Sequence, residues 1–549
     1  MKIYISTALG VLLLPVLVAG AQENHHHGGN DGTPVQLGKV SFPTSCSPAV
    51  QASFERAVAL LHSFQYEEAE AGFSEVAKKD PNCAMAYWGK AMSLYHQLWD
   101  HPGAGTLDEG RADIVKAKTI GAKTEREREF VEVAGVFFQN KSDFDYAERA
   151  KAYSNAMEQV YLHNPQDVES GAFYALSLIA IPGDDSDLTN RKNAVEILNK
   201  LFVQEPGHPG IVHYLIHAAD TPQLASLGLE AARRHAKIAP GSAHALHMPS
   251  HIFTRLGLWQ ESIESNIASA GVAEKMTAMH LEGAPYQLHA MDFLHYAYLQ
   301  TGQVAKARQL QEDLNSVRGA TSDRLAGSQA TFAAEDALEQ HHWKEAASLM
   351  SEIDNGKGKG WPLGAKTETY WASAIGAARS GDPKAARADI ENLKHAHAES
   401  KDLNKGYSKA GLEQVDVQEA EAWLDLADGR TSEAVKMLGA AADQEDKGGV
   451  DSLTMPAREM LGDMLLELHQ PGAALAAFEA SLAESPNRFD GVYGAARAAE
   501  LSGASEKAKS YYSRLQDLCV RGSDERPELR QARTYLAQSQ DPAPSRGRN

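Results

Sequence analysis

From residue 49 onward apolar residues return every three or four positions, Gly or Pro interrupts them at short intervals, and almost no stretch alternates apolar with polar. Residues three and four apart share one face of a helix, whereas a strand needs alternation, so the pattern restricts the chain to helices joined by turns. Within it His213 and His217 recur 34 residues later as His247 and His251, in step with Pro206 and Pro240. A fixed period of that length marks an array of like units, each of which must stack on its neighbours to bury its apolar face.

The ends of the chain do not follow the pattern. Lys2, the apolar run Ala8 to Val18 and the small residues Ala19, Gly20 and Ala21 read as a signal peptide over residues 1–21, cleaved near Ala21. The mature protein is therefore expected outside the cytoplasm, periplasmic or secreted. No cysteine follows for lipidation, and no later run is long and apolar enough to serve as a transmembrane anchor. Residues 22–48, with His25, His26 and His27 among glycines and polar residues, are expected to be a flexible arm, and 538–549 a disordered tail. Of three cysteines, Cys46 and Cys83 can pair in an exported protein, which leaves Cys519 as a buried thiol.

The unit itself is visible in several places. Phe64 to Ala69, followed by Phe73 and Pro81, sets a small residue four before an aromatic and closes on proline. Copies centre on Gly302 and Ala307, Trp343 and Ala346, Gly381 and Ala386, and Gly429 and Ala434. Two more run from Gly462 through Ala474 and Phe478 to Pro486, and from Ala496 through Gly503 and Ala508 to Tyr512. These segments resemble the tetratricopeptide repeat family, of the exported bacterial kind. The resemblance implies an all-α, right-handed helical-repeat solenoid of antiparallel helix pairs, with roughly ten to twelve repeats. Residues 49–354 would form an N-terminal array and 355–537 a C-terminal one, divided by the Gly/Lys stretch from Asn355 to Pro362. Pro102, Gly103, Gly105, Pro182 and Gly183 break the pattern, so long connections are expected around 100–160 and 175–190.

In that family the second, fifth, ninth and twelfth residues of each first helix line a concave groove, and their spacing of three, four and three keeps them on one helical face. The resemblance then assigns His213, His217 and Asp220 to the groove from one repeat, and His244, His247, His251 and Thr254 from the next. Past an insertion come His289, Asp292 and Tyr296. His62 and His96 are also one period apart and fall at the groove edge, near Trp99, Asp100 and His101. Pro249 either kinks the helix that carries His247 and His251 or starts a new one at that point.

Two histidines four apart on a helix can share a metal ion, and a facing pair can complete four coordinates. His213, His217, His247 and His251 are thus candidate ligands for a divalent transition metal such as zinc, with Asp220 and Asp292 as ligands or as acceptors behind the rings. Neutral histidines can equally line a metal-free peptide groove by hydrogen bonding to carbonyls and carboxylates. The primary reading is an exported scaffold that binds a protein or peptide partner; the alternative is a metal-binding or metal-dependent protein.

Enzymatic readings lack a motif. Tyr214, Leu215 and Ile216 lie between His213 and His217, so the glutamate of a zinc-peptidase helix is missing, and Asp220, Asp292 or Glu282 would have to act as base. The formal charge of −20 argues against a nucleic-acid partner. Histidines in place of Lys, Arg and Asn disfavour a clamp for an acidic C-terminus, and clustered imidazoles would make a metal-free groove sensitive to mild acid.

Overall fold

The computed structural model describes residues 36–98, 101–139, 145–182, 187–354, 360–403, 412–448, 453, 455–522 and 526–540. Residues 1–21, expected to be a signal peptide, the tract His25 to His27, Trp99, Asp100, residues 355–359 and residues 541–549 of the expected tail lie outside them, while residues 538–540 end the helix Pro527–Gln540. Among the described residues the secondary structure is helical throughout, without strands, and consecutive helices pack as antiparallel neighbours in a helical-repeat solenoid.

The residues that mark the repeat do so because they pack. Ala69, Phe73, Ala307, Ala346, Ala386, Ala434, Ala474, Phe478, Ala508 and Tyr512 are all fully buried. The Phe478 ring fills the space between two helices so closely that a Cβ on Gly462 would stand 2.7 Å from it and one on Gly494 2.3 Å. Gly302, Gly381, Gly429 and Gly503 sit in the turns between paired helices with φ of 65°, 88°, 82° and 79°, a region that a side chain penalises.

Three expectations are corrected. Residues 36–48, expected in a flexible arm, are anchored on the helices by the buried side chains of Leu37, Val40 and Phe42. Phe42 is fully buried against Phe54, Trp88 and Phe130, at ring-centroid distances of 5.4, 5.3 and 5.2 Å. Glu127 caps its own helix with Thr124 and accepts from Ser45 N–H at 2.6 Å, and Cys46 is bonded to Cys83 across a separation of 37 residues. A cross-link over that span contributes about 3–4 kcal/mol by chain entropy.

The stretch 100–160 is not a set of long connections either. It forms the helices Ala104–Ile120, Glu125–Phe137 and Tyr146–His163, with Gly103 at an N-terminus where its freedom costs nothing. Nor does the apolar core divide at 355: one buried cluster runs from Ala334 and Ala346 through Trp371 and Trp423 to Met464. Distant repeats also meet directly. Trp259 Nε1 donates to the Asn487 carbonyl at 2.6 Å, and Arg488, 2% exposed, joins Glu339 and Glu459 at 2.8 and 2.9 Å. A guanidinium buried between two carboxylates is held at that position by its partners and makes the junction specific.

Candidate metal centre

Three helical segments carry the histidine columns: Pro209–Ala219, the pair Ala243–His247 and Pro249–Arg255, and Ala284–Gln300. The two halves of the middle segment meet at Met248, whose backbone stays in the right-handed helical region (φ −50°, ψ −36°), and Pro249 takes the first helical position after it. Pro249 therefore interrupts the hydrogen bonding while the chain continues onward. His247 and His251 remain on one side, with their Nε2 atoms 3.0 Å apart.

The rings do not form the single four-histidine set expected for His213, His217, His247 and His251. They sort into two triangles, His213 with His217 and His244, and His247 with His251 and His289. In the first, His213 Nε2 lies 2.9 Å from His244 Nε2 and 3.1 Å from His217 Nε2. The triangles adjoin: ring centroids of His217 and His251, and of His244 and His247, are each 6.5 Å apart. Each is closed on one side by a phenylalanine. Phe64 packs 4.3 Å from His213, and Phe293 packs 4.6 Å from His251 and 4.8 Å from His247. Phe64 holds that position at φ 55°, a strained conformation for a non-glycine residue.

On His213, His247 and His251 the nitrogen facing away from the triangle is fixed by an acceptor. His213 Nδ1–H donates to the His62 carbonyl at 2.6 Å. His247 Nδ1–H donates to Asn266 Oδ1 at 2.7 Å, and the amide is oriented because Asn266 Nδ2 donates to the Ser262 carbonyl at 2.9 Å. His251 Nδ1–H donates to Asp220 Oδ2 at 2.9 Å, while Arg255 binds the other carboxylate oxygen. With Nδ1 protonated, a neutral ring presents a bare Nε2 lone pair. This is how metal-binding histidines are oriented.

Burial opposes protonation of these rings. It pulls His213 down to about 3, and His217, His244 and His247 well below the ordinary histidine value, with neighbouring imidazoles adding to the effect. Burial alone would raise the Asp220 carboxyl, but Arg255 and His251 hold it well below its usual range. The rings are thus more enclosed than open-groove positions would be: His213, His244 and His247 are buried, and His289 is the most accessible, its side chain 44% exposed.

Several expected site residues serve other ends. Thr254 is buried and pairs with Ser262 Oγ at 3.2 Å, and Tyr296 packs on Trp259 at 5.8 Å. Asp292 is held by Arg324 and Ser328 and stays 4.0 Å from His289 Nδ1. His96 stacks on Tyr66 at 4.1 Å and His101 on Tyr146 at 3.2 Å, outside both triangles.

His62 is not at a groove edge but fully buried in a third cluster with Glu169 and His208, two residues that the repeat spacing does not mark. Tyr214 O–H donates to His62 Nδ1 at 2.8 Å, and His62 Nε2–H donates to Glu169 Oε2 at 2.8 Å. His208 Nε2–H donates to Glu169 Oε1 at 3.0 Å and its Nδ1 accepts from Ile211 N–H. Gly210 makes room for this arrangement, since a Cβ there would lie 2.4 Å from His62 Nδ1. The sequence signal for His208 is its place before Pro209, where it caps the helix Pro209–Ala219. His235, also unmarked, stacks on His213 at 5.3 Å, and neither of its ring nitrogens meets a hydrogen-bond partner among the described residues.

A family model described as Tetratricopeptide repeat matches residues 372–435 and 459–520. No curated protein matches the chain. Among solved structures the chain is similar to a human IFIT1 dimer with PPP-AAAA, at 14% identity over 79% of this chain and 90% of that one, with a TM-score of 0.38. A human IFIT1 dimer with m7Gppp-AAAA gives 13% identity, 85% and 99% coverage and a TM-score of 0.40. The APC/C hetero-tetramer Cut9-Hcn1 gives 10% identity, 90% coverage of each chain and a TM-score of 0.33. The chain is an all-helical repeat protein that carries tetratricopeptide repeats.

Proposed function

We propose that this helical-repeat scaffold holds two transition-metal ions, one in each histidine triangle. The observation that carries the reading is the pair His247 and His251. Both Nδ1 atoms donate to fixed acceptors, so two bare Nε2 lone pairs face each other at 3.0 Å. Two lone pairs at that distance repel unless a cation lies between them. A proton is one such cation, and burial disfavours it on His247. A metal bound through bonds of about 2.0–2.1 Å at tetrahedral angles spaces its nitrogens by about 3.3 Å. The separations of 2.9, 3.0 and 3.1 Å are within a few tenths of an ångström of that edge.

The repeats supply a frame of the kind used for protein interaction, and a protein or peptide partner on their remaining surface fits the match over residues 372–435 and 459–520. The charge of −20 favours such a partner over nucleic acid. The signal-like residues 1–21 place the protein outside the cytoplasm in this reading.

The test is elemental analysis of untagged full-length protein, purified without chelator and compared with the His251→Ala variant. Two equivalents of metal falling to one in the variant supports the proposal. Protein that carries no metal, and takes up neither zinc nor copper on titration, refutes it.

A further inference from the structure

We infer that the two triangles act as one centre, a coupled pair of copper ions whose substrate is dioxygen. The inference rests on the metal reading above and adds to it the identity of the ions and their joint action.

The donors are six imidazoles, and among the described residues no carboxylate joins either triangle. Asp220 is spent on Arg255 and on the rear nitrogen of His251, and Asp292 on Arg324 and Ser328. Both carboxylates are therefore neutralised by arginines, and neither is placed to bridge two ions. Hard cations that require oxygen ligands are disfavoured by such a set, whereas imidazole suits copper and zinc.

Charge separates those two. The cost of burying an ion rises with the square of its charge, and neutral ligands backed by neutralised carboxylates do little to offset it. Glu169 lies one ring further back, on His62. Monovalent copper meets this site at far lower cost than a divalent ion. Three nitrogens also satisfy a low coordination number and leave a position open for a substrate.

Adjacency and surroundings indicate the reaction class. Rings of different triangles approach to 6.5 Å, about as close as the 6.1 Å between His217 and His244 within one. Phe64 and Phe293 wall the outer sides, and the half-exposed His289 marks the side open to a small molecule. Two ions side by side can together supply the two electrons that turn dioxygen into peroxide, and that transfer needs no proton acceptor. Each Cu(I) gives one electron to a dioxygen bound between the ions. The two become Cu(II), the dioxygen becomes peroxide with its O–O single bond intact, and no proton is taken up. Release is the reverse.

The experiment loads the full chain with Cu(I) without oxygen and then admits dioxygen. The expected result is two coppers per chain, one dioxygen consumed per two coppers, and little or no Cu(II) paramagnetic signal, because adjacent Cu(II) ions pair their spins. His217→Ala and His289→Ala, one in each triangle at partly exposed rings, should halve the copper and abolish dioxygen uptake. The remaining copper should then give the full signal of an isolated Cu(II) on chemical oxidation. Should either variant fail to fold by circular dichroism, the glutamine substitution at the same position takes its place. Two coppers that bind but give two isolated Cu(II) signals, or consume no dioxygen, overturn the coupled centre and leave the metal reading standing. Zinc that fills both triangles and resists copper overturns the choice of metal alone. Failure to bind any metal overturns both readings.

Discussion

The cluster of His62, Glu169 and His208 and the triangle of His247, His251 and His289 are built largely from the same side chain, and both lie inside the array, yet they do opposite things with their nitrogens. In the first, every ring nitrogen either donates to Glu169 or accepts from Tyr214 or Ile211, so the neutral rings are complete as they stand. In the second, the donors point outward to Asn266 and Asp220, and the inward nitrogens of His247 and His251 meet lone pair to lone pair. Proximity and burial are common to both. What separates a structural histidine from a ligand here is where its one proton goes.

The comparison breaks most visibly on removal of metal. Chelation should destabilise the protein by about 4 kcal/mol for each site at free metal about a thousand times the dissociation constant. Thermal melts with and without chelator measure this, and identical melts would place the triangles with the structural cluster. Next in size is Glu169→Ala, which leaves His62 and His208 without their acceptor. Each of the two buried N–H donors left unsatisfied costs about 1–3 kcal/mol. Urea unfolding should show that loss while metal per folded chain stays unchanged; a fall in metal content would move Glu169 into the metal centre.

A smaller effect is expected behind the rings. Asp220→Ala and Asn266→Ala remove the acceptors that orient His251 and His247, and should weaken metal binding about 10- to 100-fold with little change in fold. Competition with a chromophoric chelator measures it, and unaltered affinity would mean that those hydrogen bonds do not position the ligands.

The last is a pH effect in metal-free protein. Burial holds His213 at about 3 in the folded state, against about 6.5 in an unfolded chain. Only the unfolded state takes up the proton between these values. The stability that this ring contributes is therefore complete above about pH 6.5 and is lost as pH falls toward about 3, at roughly 1.4 kcal/mol per unit. Urea midpoints of chelator-treated protein should fall between about pH 7 and about pH 5, and flat midpoints would mean that the buried rings already share protons.

The fold was legible because its grammar is local. Ala69 with Phe73, Ala474 with Phe478 and Ala508 with Tyr512 each mark a helix-pair contact by residue size alone, and all are fully buried. The histidine columns were legible for the same reason, since His213 with His217 and His247 with His251 stand one repeat apart. Their sorting was not. His289 joins His247 from beyond an insertion, and Asn266 and Glu169 come from helices whose inward positions carry no repeat signature. Phe42 shows the same limit from the other direction: a polar, glycine-rich approach concealed a residue that docks among Phe54, Trp88 and Phe130 only once those helices are assembled.

The most direct test of the central claim is anomalous diffraction from crystals of the full chain grown without chelator and with copper or zinc supplied. The account predicts one anomalous peak inside each triangle, within bonding distance of Nε2 of His213, His217 and His244 and of His247, His251 and His289, and none beside Glu169. Peaks absent from both triangles, or a peak between His62 and His208, would contradict it.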